Sequence, residues 1–127
     1  MASRGDRLKH LVGLQKQVAE IHEMRRATFL AKAEEARREA AAVVERTSDA
    51  TSMSHMFPEV YARFVERAVE RQRENEGLAE AESVKVAAET ARGNILEKAW
   101  REAAREEERH AEERAALDAV EQRLARR

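Results

Sequence analysis

Two long stretches of helical periodicity, separated by one break, organise the chain. In the first, Leu8, Leu11, Leu14, Val18 and Ile21 recur at spacings of 3, 3, 4 and 3, the interval that holds side chains on one face of a helix. Beyond Met24 the stripe blurs. Phe29 and Leu30 are adjacent, and alanines at 33, 36 and 40 then take over. Nothing between Ala27 and Arg46 breaks a helix, so the pattern predicts one helix over about residues 6–47 whose apolar seam drifts around it.

The break runs from Thr47 to Pro58. Five Ser/Thr residues and Asp49 compete there for backbone hydrogen bonds, and Pro58 pushes Phe57 into an extended conformation. Proline suits the first turn of a following helix, where its missing N–H is not needed. A connector over about 48–57 therefore leads into a second helix over about 58–125, which contains no further proline. Gly77 and Gly93 each cost a helix about 1 kcal/mol relative to alanine, too little to end one of this length.

A connector this short forces the two helices antiparallel. A turn centred on residues 52–53 pairs residues whose numbers add to about 105, so Val44 meets Tyr61, Val18 meets Ala87 and Leu11 lies near Ile95. Gly77 then falls opposite Phe29 and Gly93 opposite Gly13. Residues from about 99 onward are left without a partner in the first helix. The predicted fold is all-α: a single elongated unit, an antiparallel two-helix coiled-coil hairpin with a longer C-terminal helix.

Composition agrees. Ala, Glu, Arg, Leu and Lys make up about 62% of the 127 residues, against the roughly 50% that marks a long-helix chain. Ile and Val never alternate in blocks, which excludes a β-sandwich or a doubly wound sheet. Charge adds an argument for the pairing: residues 1–48 carry 10 basic and 7 acidic side chains, and residues 49–98 carry 7 and 10. Opposite surpluses favour pairing of the halves with each other over self-pairing. With 24 basic against 25 acidic residues there is no uncompensated basic face, so no nucleic-acid partner is expected. The chain has no cysteine, no apolar run over Met1–Arg7 and no stretch near the 18 apolar residues of a membrane span. These features predict a soluble cytoplasmic protein without membrane insertion.

No constellation for catalysis is found. His10, His22, His55 and His110 never lie three or four residues apart, the spacing a helix needs to aim two rings at one metal ion. The clusters Glu106–Glu108 and Glu112–Glu113 alternate with arginines, as on a solvated helix surface, and no glycine loop suits a phosphate. The expectation is a protein that is not an enzyme, with no metal or cofactor. Candidate partner-binding features remain. Leu96, Ala103, His110, Leu117 and Leu124 recur every seven residues, with Ala99 and Val120 between, as a seam for another chain or for a second copy. Phe57, Tyr61 and Phe64 either pack the hairpin tip against Val43 and Val44 or form a docking knob. Trp100 lies near residue 5 and either covers the start of the first helix or contacts a partner. The doublets Arg25-Arg26 and Arg37-Arg38 read as a solubilised face.

The opening leucine series Leu8–Leu11–Leu14, the Ser/Thr-rich connector leading to Phe57-Pro58 with Tyr61 and Phe64-Val65, the run Arg71-Gln72-Arg73-Glu74, and Leu96-Glu97-Lys98-Ala99-Trp100 before a charged C-terminal helix together resemble the FliJ/YscO family. These are coiled-coil stalk proteins of flagellar and type III secretion export ATPases. The resemblance implies a non-catalytic accessory protein that binds a hexameric export ATPase and couples it to the export gate and secretion chaperones, at the cytoplasmic side of the inner membrane. Leu8, Leu11, Leu117, Val120 and Leu124 would then face the ATPase, and Phe57, Tyr61 and Phe64 the gate or chaperones. The alternatives are a coiled-coil scaffold that homodimerises and a helical export chaperone, so monomer and homodimer both stay open.

Overall fold

The computed structural model describes residues 2–127. Among them are two α-helices, α1 (Arg4–Thr47) and α2 (Pro58–Ala125), joined by a loop that contains one 3₁₀ turn, Met53–His55. The all-α expectation of a shorter N-terminal helix and a longer C-terminal one in close contact is met.

Local chemistry sets the ends. Ser3 caps α1 reciprocally: its Oγ accepts from the Asp6 N–H at 3.1 Å, and its own N–H donates to Asp6 Oδ2 at 3.3 Å. At the other end the serines and threonines of the break satisfy carbonyls that the helix leaves open. Thr47 Oγ1 donates to the Val44 carbonyl at 2.5 Å, and Ser52 Oγ donates to that of Arg46 at 2.7 Å. Asp49 Oδ1 accepts from both the N–H and the hydroxyl of Thr51, which holds its carboxyl below the usual value. Pro58 then occupies the first position of α2.

The chain divides into two compact units. Ala19–Ala87 form one, and the segment up to Val18 together with Ala88–Arg127 forms the other. In the Ala19–Ala87 unit, α1 and α2 run antiparallel: His22 bonds Glu82, Arg26 Nε donates to Ser83 Oγ at 2.9 Å, and Arg71 reaches Glu39. The unit of the chain ends shows the same polarity. Gln15 Nε2 donates to the Glu89 carbonyl at 3.2 Å, and the Gly5 N–H donates to Glu107 Oε1 at 3.1 Å.

The face α1 turns inward differs from the one its leucines predict. Apart from Glu39, which reaches Arg71 from the flank, its buried and half-buried residues between Gly5 and Val43 that face α2 follow one strict heptad of alternating three- and four-residue steps: Gly5, Leu8, Val12, Gln15, Ala19, His22, Arg26, Phe29, Ala33, Ala36, Ala40 and Val43. Leu11, Leu14, Val18 and Ile21 lie outside it, 38–49% exposed. The apolar seam of α1 does not drift. Extending the leucine stripe along α1 would bring Arg25, Thr28, Lys32, Glu35 and Glu39 into contact with α2. The heptad through Val12 collects instead every alanine from Ala33 to Ala40 that suits close packing, and admits only Gln15, His22 and Arg26 as polar intruders.

On α2 the matching heptad runs through Tyr61, Val65, Ala68, Gln72, Asn75, Ala79, Glu82, Val86, Glu89, Gly93, Leu96, Trp100 and Ala103. Gly93 sits under Gln15, since a Cβ there would lie 3.5 Å from the Gln15 Cγ. Those two residue numbers add to 108, three more than predicted, and this moves several expected pairs. Gly77 and Gly13 face open space, so neither makes room for a side chain across the pair, and Ala79 is 3% exposed. Gly5 has its own purpose: any Cβ would stand 3.0 Å from the Glu107 carboxylate, which caps the first turn of α1 where the helix dipole favours negative charge. Ala103 is still buried and Glu107 still reaches Gly5 of α1, so the unpaired part of α2 begins beyond Glu107, not at Ala99.

The seam is thin. Its buried apolar members are six alanines and two valines, Val12 and Val43, whereas eighteen large apolar side chains stand exposed. At roughly 0.8 kcal/mol per buried CH₂, alanines contribute little, and high intrinsic helix propensity carries much of the order. Intrahelical pairs such as Glu34–Arg37 (2.6 Å) and Glu89–Arg92 (2.9 Å) add about 0.2–0.5 kcal/mol each. Neighbouring positions should therefore respond oppositely. Val12→Asp, at a 7%-exposed site, is expected to cost at least about 2 kcal/mol in urea unfolding, and Leu11→Asp less than about 0.5. Equal losses from the two would show that the leucine stripe is the true seam.

Candidate functional site

No single cleft gathers the candidate residues; they lie on three surfaces. In the Ala19–Ala87 unit, Phe57 and Phe64 are about half exposed, and only Tyr61 turns partly inward, over a hollow lined by Thr47, Ser54, His55, Pro58 and Val65. Val43 is buried, but Val44 points outward at 52% exposure. The tip is thus packed by Tyr61, Val65 and Val43, and the two phenylalanines are left free for contact. Phe57 directly precedes α2, and Phe64 lies in its second turn.

In the unit of the chain ends, Leu8 and Trp100 are half-buried in the seam, and Leu11, Leu14 and Val18 form an exposed ridge on α1. Beyond Ala103 every residue of α2 is exposed. Leu117, Val120 and Leu124 are 63%, 52% and 64% exposed there and follow each other at spacings of three and four, one face of the helix. Apolar side chains repeated on a helix that already has its backbone bonds satisfied are surface for another helix.

The third feature is polar. His22 Nδ1 lies 2.6 Å from Glu82 Oε2, with side chains only 17% and 8% exposed, and Lys85 Nζ stands 3.5 Å from the other carboxylate oxygen. Burial raises the Glu82 pKa, yet the hydrogen bond from His22 and the charges of Lys85 and His22 outweigh it and hold the group below 4.5. Sequence reading passed over this pair, although its own register put His22 opposite residue 83. A lowered carboxyl pKa stabilises the fold above the ordinary value, and that contribution is lost as pH falls below 4.5 through the folded-state pKa. The urea midpoint should therefore drop between about pH 5 and about pH 3, and less steeply in Glu82→Gln. Identical slopes would assign the acid sensitivity to other carboxylates. Glu34 is also depressed, to about 2, chiefly by its hydrogen bond from Arg37, but it lies in solvent where such pairs contribute little.

Among the described residues no group of three or more His, Asp or Glu side chains is placed to hold a metal ion, and no helix is long and apolar enough to cross a membrane. His10 and His55 are exposed, and His110 stands 3.8 Å from Glu113 on the exposed part of α2. Arg25 and Arg38 are exposed and Arg37 bonds Glu34 within α1, but Arg26 is half-buried and bonds Ser83 of α2 as well as Glu23, so it belongs to the helix pair and not to a solubilised face. Compared with protein-family models, with curated proteins and with solved structures, the chain matches none of them.

Proposed function

We propose that the protein is a non-catalytic accessory component, stalk-like, of a flagellar or type III secretion export apparatus. It binds the export ATPase and couples it to the export gate and to secretion chaperones. One observation carries the reading: α2 continues as helix past Ala103 with Leu117, Val120 and Leu124 exposed on one face and none of the described residues packed over them. A helix face left open in this way is surface for another helix, and the resemblance of the sequence to the FliJ/YscO family supplies the partner. The chain ends meet the ATPase through the extension and through Leu11, while Leu8 supports the seam beneath. Phe57 and Phe64 at the tip are offered to the gate or to chaperones, and Tyr61 braces them.

Co-purification with the export ATPase from the same cell, followed by ATP hydrolysis with and without the protein, tests this. The expected result is a stable complex with raised hydrolysis. Leu117→Glu with Leu124→Glu should abolish both and leave the melting midpoint of the isolated protein within about 2 °C, because exposed positions carry little stability. Failure of the intact protein to bind or stimulate the ATPase would remove the export reading and leave a helical scaffold.

A further inference from the structure

The exposed extension of α2 has the pattern of one strand of a coiled coil, and its charges select the other strand. Continuing the heptad that packs α2 on α1 past Ala103 brings Glu107, His110, Arg114, Leu117, Glu121 and Leu124 into the inward positions. Charge is not spread evenly along it. Residues 105–113 hold five glutamates against two arginines; residues 114–127 hold four arginines against one aspartate and one glutamate. The extension is therefore acidic in its first half and basic in its second.

We infer that the extension pairs antiparallel with the same segment of a second copy, in a two-fold symmetric dimer. Antiparallel pairing lays the acidic half of each copy on the basic half of the other. Parallel pairing would instead stack Glu107 on Glu107, Arg114 on Arg114 and Glu121 on Glu121, three like-charge layers inside the seam. With a register in which Ala104 of one copy lies opposite Ala125 of the other, Arg114 meets Leu117, His110 meets Glu121, and Glu106 comes beside Arg127 in the relation that Glu39 and Arg71 show across α1 and α2. Each copy contributes only Leu117, Val120 and Leu124 as large apolar groups, so the association is reversible. The inference stands apart from the export reading. Where both hold, the dimer covers the leucines that an ATPase would use, so a second copy and a partner exclude each other.

Sedimentation equilibrium of the full chain from about 10 µM to about 500 µM, at low salt, reads the association. The expected result is a rise from 14.5 kDa toward twice that mass, reversed by about 0.5 M salt. Orientation is read by cross-linking, which the absence of native cysteine makes clean. Ala104→Cys and Ala125→Cys variants, oxidised separately, should stay monomeric, and mixed they should give a covalent dimer. The triple variant Arg123→Glu/Arg126→Glu/Arg127→Glu should lose association about tenfold or more, and mixing it with Glu106→Arg/Glu108→Arg/Glu112→Arg, which spares the Glu107 cap of α1, should restore it. A mass that stays at 14.5 kDa throughout overturns the inference, and so does cross-linking of either single variant alone. Neither outcome bears on ATPase binding, which is measured separately.

Discussion

Replacing His22 and Glu82 together by leucine should raise the melting midpoint of the protein by roughly 5–10 °C, whereas His22→Ala alone should lower it by a similar amount or more. The two residues share a hydrogen bond of 2.6 Å in a seam whose buried apolar members are alanines and valines. Removing the imidazole leaves a buried carboxylate with only Lys85, at 3.5 Å and on its solvent side, to compensate it. Removing both partners eliminates two desolvated polar groups and supplies apolar surface to a seam that has little. The pair is costly, and its return is specificity. Together with Gln15–Glu89 and Arg26–Ser83 it penalises any slip of the helices by one heptad, which alanines alone would tolerate. The double-leucine variant should accordingly melt higher but lose definition of register, seen as broader amide resonances. A double variant less stable than the parent would show that the pair contributes net stability.

The second large effect is expected at Ala68, which has no exposed surface. Ala40 on α1 is likewise buried, at 8% exposure, and alanines at buried positions of both helices let them approach closely. Ala68→Glu would bury a carboxylate with no partner in a space sized for a methyl group. The expected cost is about 3 kcal/mol or more, enough for a large share of molecules to lose the pairing of α1 with α2 at room temperature. Ala62→Glu, six residues earlier and exposed, should change stability by less than about 0.5 kcal/mol. Chemical unfolding followed by circular dichroism compares the two. A small loss at Ala68 would mean that the helices separate readily there to let the side chain reach water.

Much of this was legible in the sequence. The two helices begin and end within two residues of the predicted bounds, because Ser3–Asp6, the Ser/Thr-rich break and Pro58 are local signals that act through backbone hydrogen bonds. The antiparallel sense followed from the short connector. Misplacement arose where two faces of one helix competed. Leu8, Leu11, Leu14, Val18 and Ile21 form the stronger apolar stripe over five turns, but the alternative stripe is better when all of α1 is counted. A local window weighs the leucines, whereas a long helix pair weighs the sum along both chains. Among the candidate surfaces, the extension was visible as a heptad outliving its partner. The exposure of Phe57 and Phe64 was not, since aromatic residues beside a hairpin tip suit burial and docking equally.

By itself the amino-acid sequence determined helix content, the two helical spans, the antiparallel pairing and the presence of an unpaired C-terminal segment. Each depends on propensity, capping or chain connectivity, which act over a few residues or through length. Only the tertiary structure decided which face of α1 is inside, the register that sets Gln15 on Gly93 and His22 on Glu82, and hence that Leu11, Leu14 and Val18 remain outside. Those outcomes rest on small differences summed over a dozen layers of both helices, and no single residue carries enough free energy to announce them.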